Sequence, residues 1–154
     1  MSNDALFLIF GALLAISGGW ISDEIRAWRE RARELKSIKI AICDELSEIK
    51  STIQNMHEVW TQATIIAPSY VDSLLSNTTA FDNLRTRLFL IKDEIIRKKI
   101  VSFYKKLKDK AKKSNGMLGS LSDTPESRTE QTTFDSDFQL ISTEAEALRT
   151  DLEK

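Results

Sequence analysis

Apolar residues recur at alternating steps of four and three along the first half of the chain. This spacing is typical of a helix that buries one stripe, a heptad seam, against other helices. Neither Pro nor Gly interrupts residues 20–67, so we predict one long helix that ends near Pro68. Its seam, with one gap at Lys39, consists of Trp28, Ala32, Leu35, Ile42, Leu46, Ile49, Ile53, Met56 and Trp60.

The second half of the chain predicts three further helices. A short helix over 69–75 is followed by a polar turn, 76–79, that offers an N-cap. A helix of roughly thirty residues then ends before Gly116, with its stripe at Phe81, Leu84, Leu88, Ile91 and Ile95 and, after a shift of phase, at Ile96, Ile100, Phe103 and Leu107. After a Gly- and Pro-containing linker, the last seam is Phe134, Phe138, Ile141, Ala145, Leu148 and Leu152.

Amphipathic helices with narrow apolar stripes are stable only when the stripes are buried, and no segment predicts a pair of strands. We therefore predict an all-α protein in which an N-terminal transmembrane helix precedes an antiparallel bundle of three long helices and one short one. The predicted parts are an anchor over 1–21, a bundle core over 22–113, a linker over 114–128 and a C-terminal amphipathic helix over 129–154. An intermolecular coiled coil along the first seam is the alternative.

The anchor prediction depends on residues 5–21, which carry no charge and only one polar side chain, Ser17. As a helix they would be roughly 25 Å long, against a hydrocarbon core of about 30 Å. A signal peptide cleaved near Ala15-Ile16-Ser17 and a buried soluble helix are the alternatives. Gly11, Ala15 and Gly19 lie four residues apart, a spacing that favours close helix–helix contact within a membrane.

Basic residues follow the apolar run and none precedes it. By the positive-inside rule the N-terminus would lie outside and the rest of the chain in the cytoplasm, in a single-pass protein of the inner membrane. The lone cysteine, Cys43, fits a reducing compartment. The basic residues closest to the run are Arg26, Arg29, Arg31, Arg33, Lys36 and Lys39.

A second basic segment, 97–113, carries nine Lys or Arg against one acid, Asp109. If its helix returned towards the membrane, this segment would meet the first basic cluster and both would contact anionic phospholipid. Alternatively, the nine acids of residues 123–153 could neutralise it within the chain. Nucleic-acid binding is disfavoured because no aromatic platform accompanies the lysines. The predicted lipid contacts here are Lys105, Lys106, Lys108, Lys110, Lys112 and Lys113.

No set of residues predicts catalysis, a cofactor or a metal site. His57-Glu58 begins like a zinc-protease motif, but Thr61 stands where the second histidine belongs and His57 is the only histidine. Cys43 has no partner for nucleophilic chemistry. The carboxylates of the long helix, Asp44, Glu45 and Glu48, could face Asp93 and Glu94 but fit a solvated face more simply. We therefore predict a protein that is not an enzyme.

The order of these parts resembles a widespread set of small bacterial and phage-borne proteins of unknown function. The shared features are one N-terminal span, an Arg-rich helix such as Trp28-Arg29-Glu30-Arg31-Ala32-Arg33, and a later helix such as Ile100-Val101-Ser102-Phe103-Tyr104-Lys105-Lys106-Leu107. The resemblance implies a membrane-tethered helical domain and no catalytic residues. From the apolar run joined to the heptad seams, we predict an interaction or scaffold protein that binds a protein partner or itself. The alternative is a holin-like or toxin-like protein that assembles through its membrane helix.

Overall fold

The computed structural model describes residues 3–63, 68–118 and 125–154, and their regular structure is entirely helical. The all-α prediction is confirmed for these residues. The chain forms two compact units, Met1–Ser37 and Ile38–Lys154, and we call the second the helical domain. The elements are α1 (Asn3–Ala63), α2 (Pro68–Ser76), α3 (Thr79–Leu84), a 3-10 helix (Arg85–Leu90), α4 (Glu94–Leu118) and α5 (Pro125–Glu153).

The first unit consists of the beginning of α1. Among the residues that the structure describes, none belongs to a helix that is both long enough and apolar enough to cross a membrane. The structure therefore does not support the transmembrane span predicted over 5–21. The surroundings of Ala15 and Gly19 lie outside the described part of the chain.

Polar contacts fix the directions of the long helices within the helical domain. The amine of Lys39 donates to the Leu152 carbonyl over 2.8 Å, and at the other end His57 Nδ1 lies 3.0 Å from the Asp135 carboxylate, so α5 runs antiparallel to α1. Lys99 donates to Asp151 over 2.6 Å, and Lys110 contacts Asp137, so α5 is also antiparallel to α4. The helical-domain part of α1 and α4 consequently run in the same direction.

The short helices α2 and α3 supply the chain's return between α1 and α4. Asn77 donates to the Thr52 hydroxyl over 3.2 Å, and the amide of Ala80 donates to the Glu45 carboxylate over 2.6 Å. Residue 77 therefore contacts residue 52 of α1, whereas residue 80 contacts residue 45, seven residues earlier, so this segment runs antiparallel to α1. The domain is therefore an up-down-up-down bundle whose second leg is broken into α2, α3 and the 3-10 helix.

The continuous helix predicted from about residue 79 to residue 113 is wrong. The chain turns after the 3-10 helix, and α4 begins afresh at Glu94. The Asp93 side chain accepts hydrogen bonds from the amides of Ile95 and Ile96 over 2.8 and 3.1 Å, which caps the first turn of α4. The phase shift between Ile95 and Ile96 marks this reversal, and Ile95 is 68% exposed.

Removing the Asp93 cap should destabilise the domain. We expect Asp93→Ala to lower the free energy of unfolding by about 1 kcal/mol, because two amides of the first turn lose their acceptor. Asp93→Asn keeps a side-chain oxygen and should cost less. Urea denaturation followed by circular dichroism gives the values, with exposed mid-helix Asp109→Ala as the control. Equal effects of alanine at residues 93 and 109 would contradict the capping role.

Most residues of the seams predicted within the helical domain are confirmed as its core, although Ile95 is exposed and Leu84 and Ile96 are half-buried. Of the first seam, the residues from Ile42 onward are buried as far as Met56, whereas Trp28 and Ala32, which lie in the first unit, are exposed. The α5 seam is also buried, except for half-buried Phe134. Core residues of these two helices are Ile38, Ile42, Leu46, Ile49, Ile53, Met56, Phe138, Ile141, Ala145, Leu148 and Leu152.

The end of α4 and the start of α5 differ by a few residues from the predicted bounds of the linker. α4 continues through Gly116 to Leu118, and α5 begins at Pro125, so both helices extend into the segment predicted as a linker over 114–128. Residues 119–124 lie outside the described part of the chain, as do residues 64–67 at the predicted end of α1. The short helix predicted over 69–75 is confirmed as α2.

Candidate interaction surfaces

A ladder of ion pairs joins α4 to α5. Lys99 pairs with Asp151, Lys106 with Glu144 and Lys110 with Asp137, each pair partly exposed. A hydrogen bond from Lys99 lowers the pKa of Asp151, and one from Lys50 of α1 lowers the pKa of Glu146 in the same way. Exposed pairs each contribute little to stability, so the ladder mainly selects the register of α4 against α5.

The ladder agrees with neutralisation inside the chain, the alternative raised for the basic segment. Of the six lysines predicted to contact lipid, Lys106, Lys108 and Lys110 pair with acids, Lys108 with Asp82 over 2.6 Å. The other three, Lys105, Lys112 and Lys113, are exposed.

The predicted return of this segment towards Lys39 is wrong, because α4 runs parallel to α1. Lys110 pairs with Asp137, which is two residues from Asp135 on α5. Lys110 therefore lies near the end of the domain where His57 contacts Asp135. Lys39 lies at the opposite end, beside Leu152.

A groove lies between α4 and α5 of the helical domain. It is open, with a volume of about 530 Å³. The apolar residues that line it are Ile95, Phe103, Ala147 and Leu148, and two rungs of the ladder, Lys99–Asp151 and Lys106–Glu144, border it. Its volume is in the range of ligand sites, but its charged groups already have partners within the chain. Its floor therefore offers mainly apolar contact.

A second feature is a buried carboxylate between α1 and α3. Glu45 of α1 is only 6% exposed, and its carboxylate accepts hydrogen bonds from the amides of Ala80 and Phe81, at 2.6 and 3.2 Å. These amides belong to the first turn of α3, whose own N-cap residue, Thr78, makes no side-chain capping bond. Glu45 therefore caps α3 from a neighbouring helix.

Two aromatic rings pack beside this carboxylate. The rings of Phe81 and Tyr104 stack with centroids 4.0 Å apart and 6° between their planes. The Tyr104 hydroxyl is buried and makes no hydrogen bond of good geometry to any described residue. Burial and the nearby Glu45 carboxylate both raise the pKa of Tyr104. Burial also raises the pKa of Glu45, although the hydrogen bonds from the amides of Ala80 and Phe81 oppose this effect.

The sequence pattern assigns Asp44, Glu45 and Glu48 to a solvated face, and for Glu45 this interpretation is wrong. Asp44 and Glu48 are exposed as that interpretation requires, but Glu45 is buried. The sequence contained one signal: Glu45 directly precedes the seam residue Leu46, and residues that flank a seam lie at the edge of the core. The acceptor role itself depends on α3, which is more than thirty residues away along the chain.

The residues considered for catalysis have structural contacts. His57 Nδ1 lies 3.0 Å from both carboxylate oxygens of Asp135, which ties α1 to α5. Burial raises the pKa of the Cys43 thiol, and a raised pKa disfavours the reactive thiolate. Within the described ranges, no group of three or more His, Cys, Asp or Glu side chains could hold a metal ion.

The first unit presents a different kind of surface. Apart from its neighbours and the adjacent backbone of its own helix, a side chain added at Gly11 would meet no atom of the described residues within 4 Å. The predicted lipid-contacting residues Arg26, Arg29, Arg31 and Arg33 are all exposed. Many large apolar side chains are exposed along the same stretch: Phe7, Leu8, Phe10, Leu14, Trp20, Ile21, Ile25 and Trp28.

Comparisons with known proteins give no relative from which a function could be transferred. No family model, no curated protein and no solved structure matches the chain. The resemblance to small single-span bacterial and phage proteins therefore stays a prediction. A function has to be inferred from this chain's own surfaces.

Proposed function

We propose that the protein is a membrane-anchored helical interaction protein without catalytic activity. The apolar beginning of α1 inserts into the inner membrane, and the helical domain lies in the cytoplasm. The observation that carries the proposal is the concentration of exposed large apolar side chains between Phe7 and Trp28. Phe7, Leu8 and Leu14 are 70–75% exposed, and a concentration of exposed large apolar side chains marks a site that lipid or protein covers.

Lipid is the favoured cover for the first part of this stretch. Residues 5–21 contain no charged side chain, and a helix of seventeen such residues is close to the length that a bilayer core requires. Trp20, at the end of the run, is 72% exposed, and tryptophan is enriched at the membrane–water interface. The exposed arginines that follow can contact anionic headgroups, which supports a cytoplasmic helical domain.

An interaction role is favoured over catalysis because the reactive side chains described above serve the fold. His57 joins two helices, Glu45 caps a third, and the Cys43 thiol is partly buried with a raised pKa. The lysines that border the α4–α5 groove are held in ion pairs with α5.

Placing a charge in the apolar run tests the anchor. We expect Leu14→Arg to move most of the full chain out of the membrane fraction. An arginine at the centre of a span costs about 2.5–3.5 kcal/mol of insertion free energy, a factor of roughly 100 in the insertion equilibrium. Carbonate extraction of membranes from expressing cells gives the distribution.

Phe89→Arg is the matched control, because Phe89 is a similarly exposed apolar residue, at 69%, in the helical domain. It should leave the chain in the membrane fraction. Recovery of the unmodified chain as soluble protein without detergent would contradict the proposal.

A further inference from the structure

The first seam of α1 changes its surroundings along its length. From Ile42 to Met56 its residues are buried inside the helical domain, but Ile21, Ile25 and Trp28, which continue the same spacing upstream, are 52%, 45% and 67% exposed. In a heptad labelled a to g, Ile25 and Ala32 take position a, while Ile21, Trp28 and Leu35 take position d. The first unit thus carries about two heptads of seam that are exposed in the single chain, apart from half-buried Leu35.

We infer that this open seam, residues 21–35, pairs with the same segment of a second copy in a parallel two-stranded coiled coil. The parallel orientation rests on the proposed function, because two copies anchored in one membrane enter the cytoplasm side by side and point the same way. Anchoring also raises their effective concentration, which such a short coiled coil requires.

Charges beside the seam complement those of a second copy. In a parallel coiled coil, position g of one helix faces position e of the next heptad in its partner, five residues further on. Glu24 takes position g and Arg29 takes position e, and both are exposed in the single chain. Each Glu24 would therefore face Arg29 of the other copy, and the two-fold symmetry makes this pair twice.

Charges also define where the pairing ends. Arg31 and Lys36 have the same g-to-e relation and would repel each other across a longer coiled coil. Three residues further, Lys39 takes the core position a and donates to the Leu152 carbonyl of its own chain over 2.8 Å. The gap that Lys39 leaves in the sequence seam therefore marks the point beyond which the seam packs inside the helical domain.

Lipid can cover the charge-free run over 5–21, but it is a poor cover for residues 21–35. Ile25 lies between Glu24 and Arg26, and Trp28 is followed by Arg29, all of them exposed. Burying that density of charge in hydrocarbon would be costly. A second seam of the same kind covers the apolar stripe and leaves the charged positions in water.

Site-directed disulfide formation tests the pairing in native membranes. In a Cys43→Ala background, Trp28→Cys and Ala32→Cys place single thiols at core positions d and a. Asp23→Cys and Glu30→Cys place them at the outer position f, as matched controls on the same helix. We expect mild oxidation to give several-fold more covalent dimer from the core positions, because core side chains of two parallel helices approach to disulfide distance. Equal yields at all four positions, or more dimer from residues 23 and 30, would overturn the inference.

Exchange of charges provides the second arm of the test. Glu24→Arg, introduced together with Trp28→Cys, should lower the dimer yield, and adding Arg29→Glu should restore it. Failure of the double exchange to restore the yield would refute the proposed register. Fractionation separates the two proposals: dimers formed by a soluble chain refute the anchor alone, whereas a membrane-bound chain without core-specific dimers refutes the pairing alone.

Discussion

Tyr104→Ala is expected to lower the free energy of unfolding by about 3–5 kcal/mol, the range for truncating a large core aromatic residue. Tyr104 is fully buried, stacks on Phe81 at 4.0 Å and meets Phe103 edge-on at 5.3 Å. Its ring therefore joins α4 to α3, and its removal leaves a cavity between them. Because small domains are stable by only about 5–15 kcal/mol, this loss would take a large share of the total.

Tyr104→Phe separates the ring from the hydroxyl. The hydroxyl is buried without a well-formed hydrogen bond to the described residues, so its removal should leave stability unchanged or raise it by up to about 1 kcal/mol. Urea denaturation of the full chain in mild detergent, followed by far-UV circular dichroism, gives both values. A loss of more than about 1 kcal/mol for the phenylalanine variant would show that the hydroxyl makes a favourable contact after all.

Glu45→Ala is expected to cost about 2–3 kcal/mol, because the amides of Ala80 and Phe81 lose the acceptor that caps α3. Glu45→Gln keeps a side-chain oxygen of the same reach and should cost less than about 1 kcal/mol at neutral pH. The exposed neighbour Glu48→Ala provides a control for loss of charge on the same helix. Similar losses at residues 45 and 48 would contradict the capping role.

The pH dependence of the same variants tests the burial of the charge. Burial raises the pKa of Glu45 in the folded state above its ordinary value of 4.5, so the folded chain holds this proton more tightly than the unfolded chain. The stability that Glu45 contributes is therefore fully present below about pH 4.5 and declines as the pH rises through the folded-state pKa.

Comparison with Glu45→Gln isolates this effect from other groups. The carboxyls of Glu146 and Asp151, whose pKa values are lowered, favour folding as the pH rises, but they are common to both proteins and cancel. The stability of the unmodified chain relative to Glu45→Gln should therefore be greatest near pH 4 and smaller at pH 7. If the stability of the unmodified chain relative to Glu45→Gln instead grew with pH, the folded protein would favour the ionised carboxylate of Glu45, which would contradict the raised pKa.

Patterns of period 3.5 identified the interior of the helical domain well. Residues such as Ile42, Ile49 and Ile141 could be assigned to the core because a helix that buries one stripe must place apolar side chains at that spacing. The same reasoning assigned Trp28 and Ile95 to stripes, yet both are exposed. Periodicity shows that a face is apolar, but it does not show which surface covers that face.

The direction of α4 could not be predicted by extending the pattern. The apolar spacing across residues 79–113 continues with only one shift, but the chain turns there and Asp93 starts a new helix. The direction of α4 after this turn follows from its contacts with α5, because Lys99 lies beside Asp151 and Lys110 beside Asp137. The last part of the basic segment, around Lys110, therefore lies at the opposite end of the bundle from Lys39.

The sequence by itself determined that this protein is helical, that its charge-free beginning is distinct from the rest, and which stripes are apolar. These properties depend on residue type and on spacing within one helix, which are local. Only the tertiary structure decided the order and direction of the helices, the capping of α3 by Glu45 and the point at which the first seam becomes buried. Those outcomes depend on which distant segments fill the same space, because a carboxylate or an apolar stripe acquires its role only from the atoms that surround it.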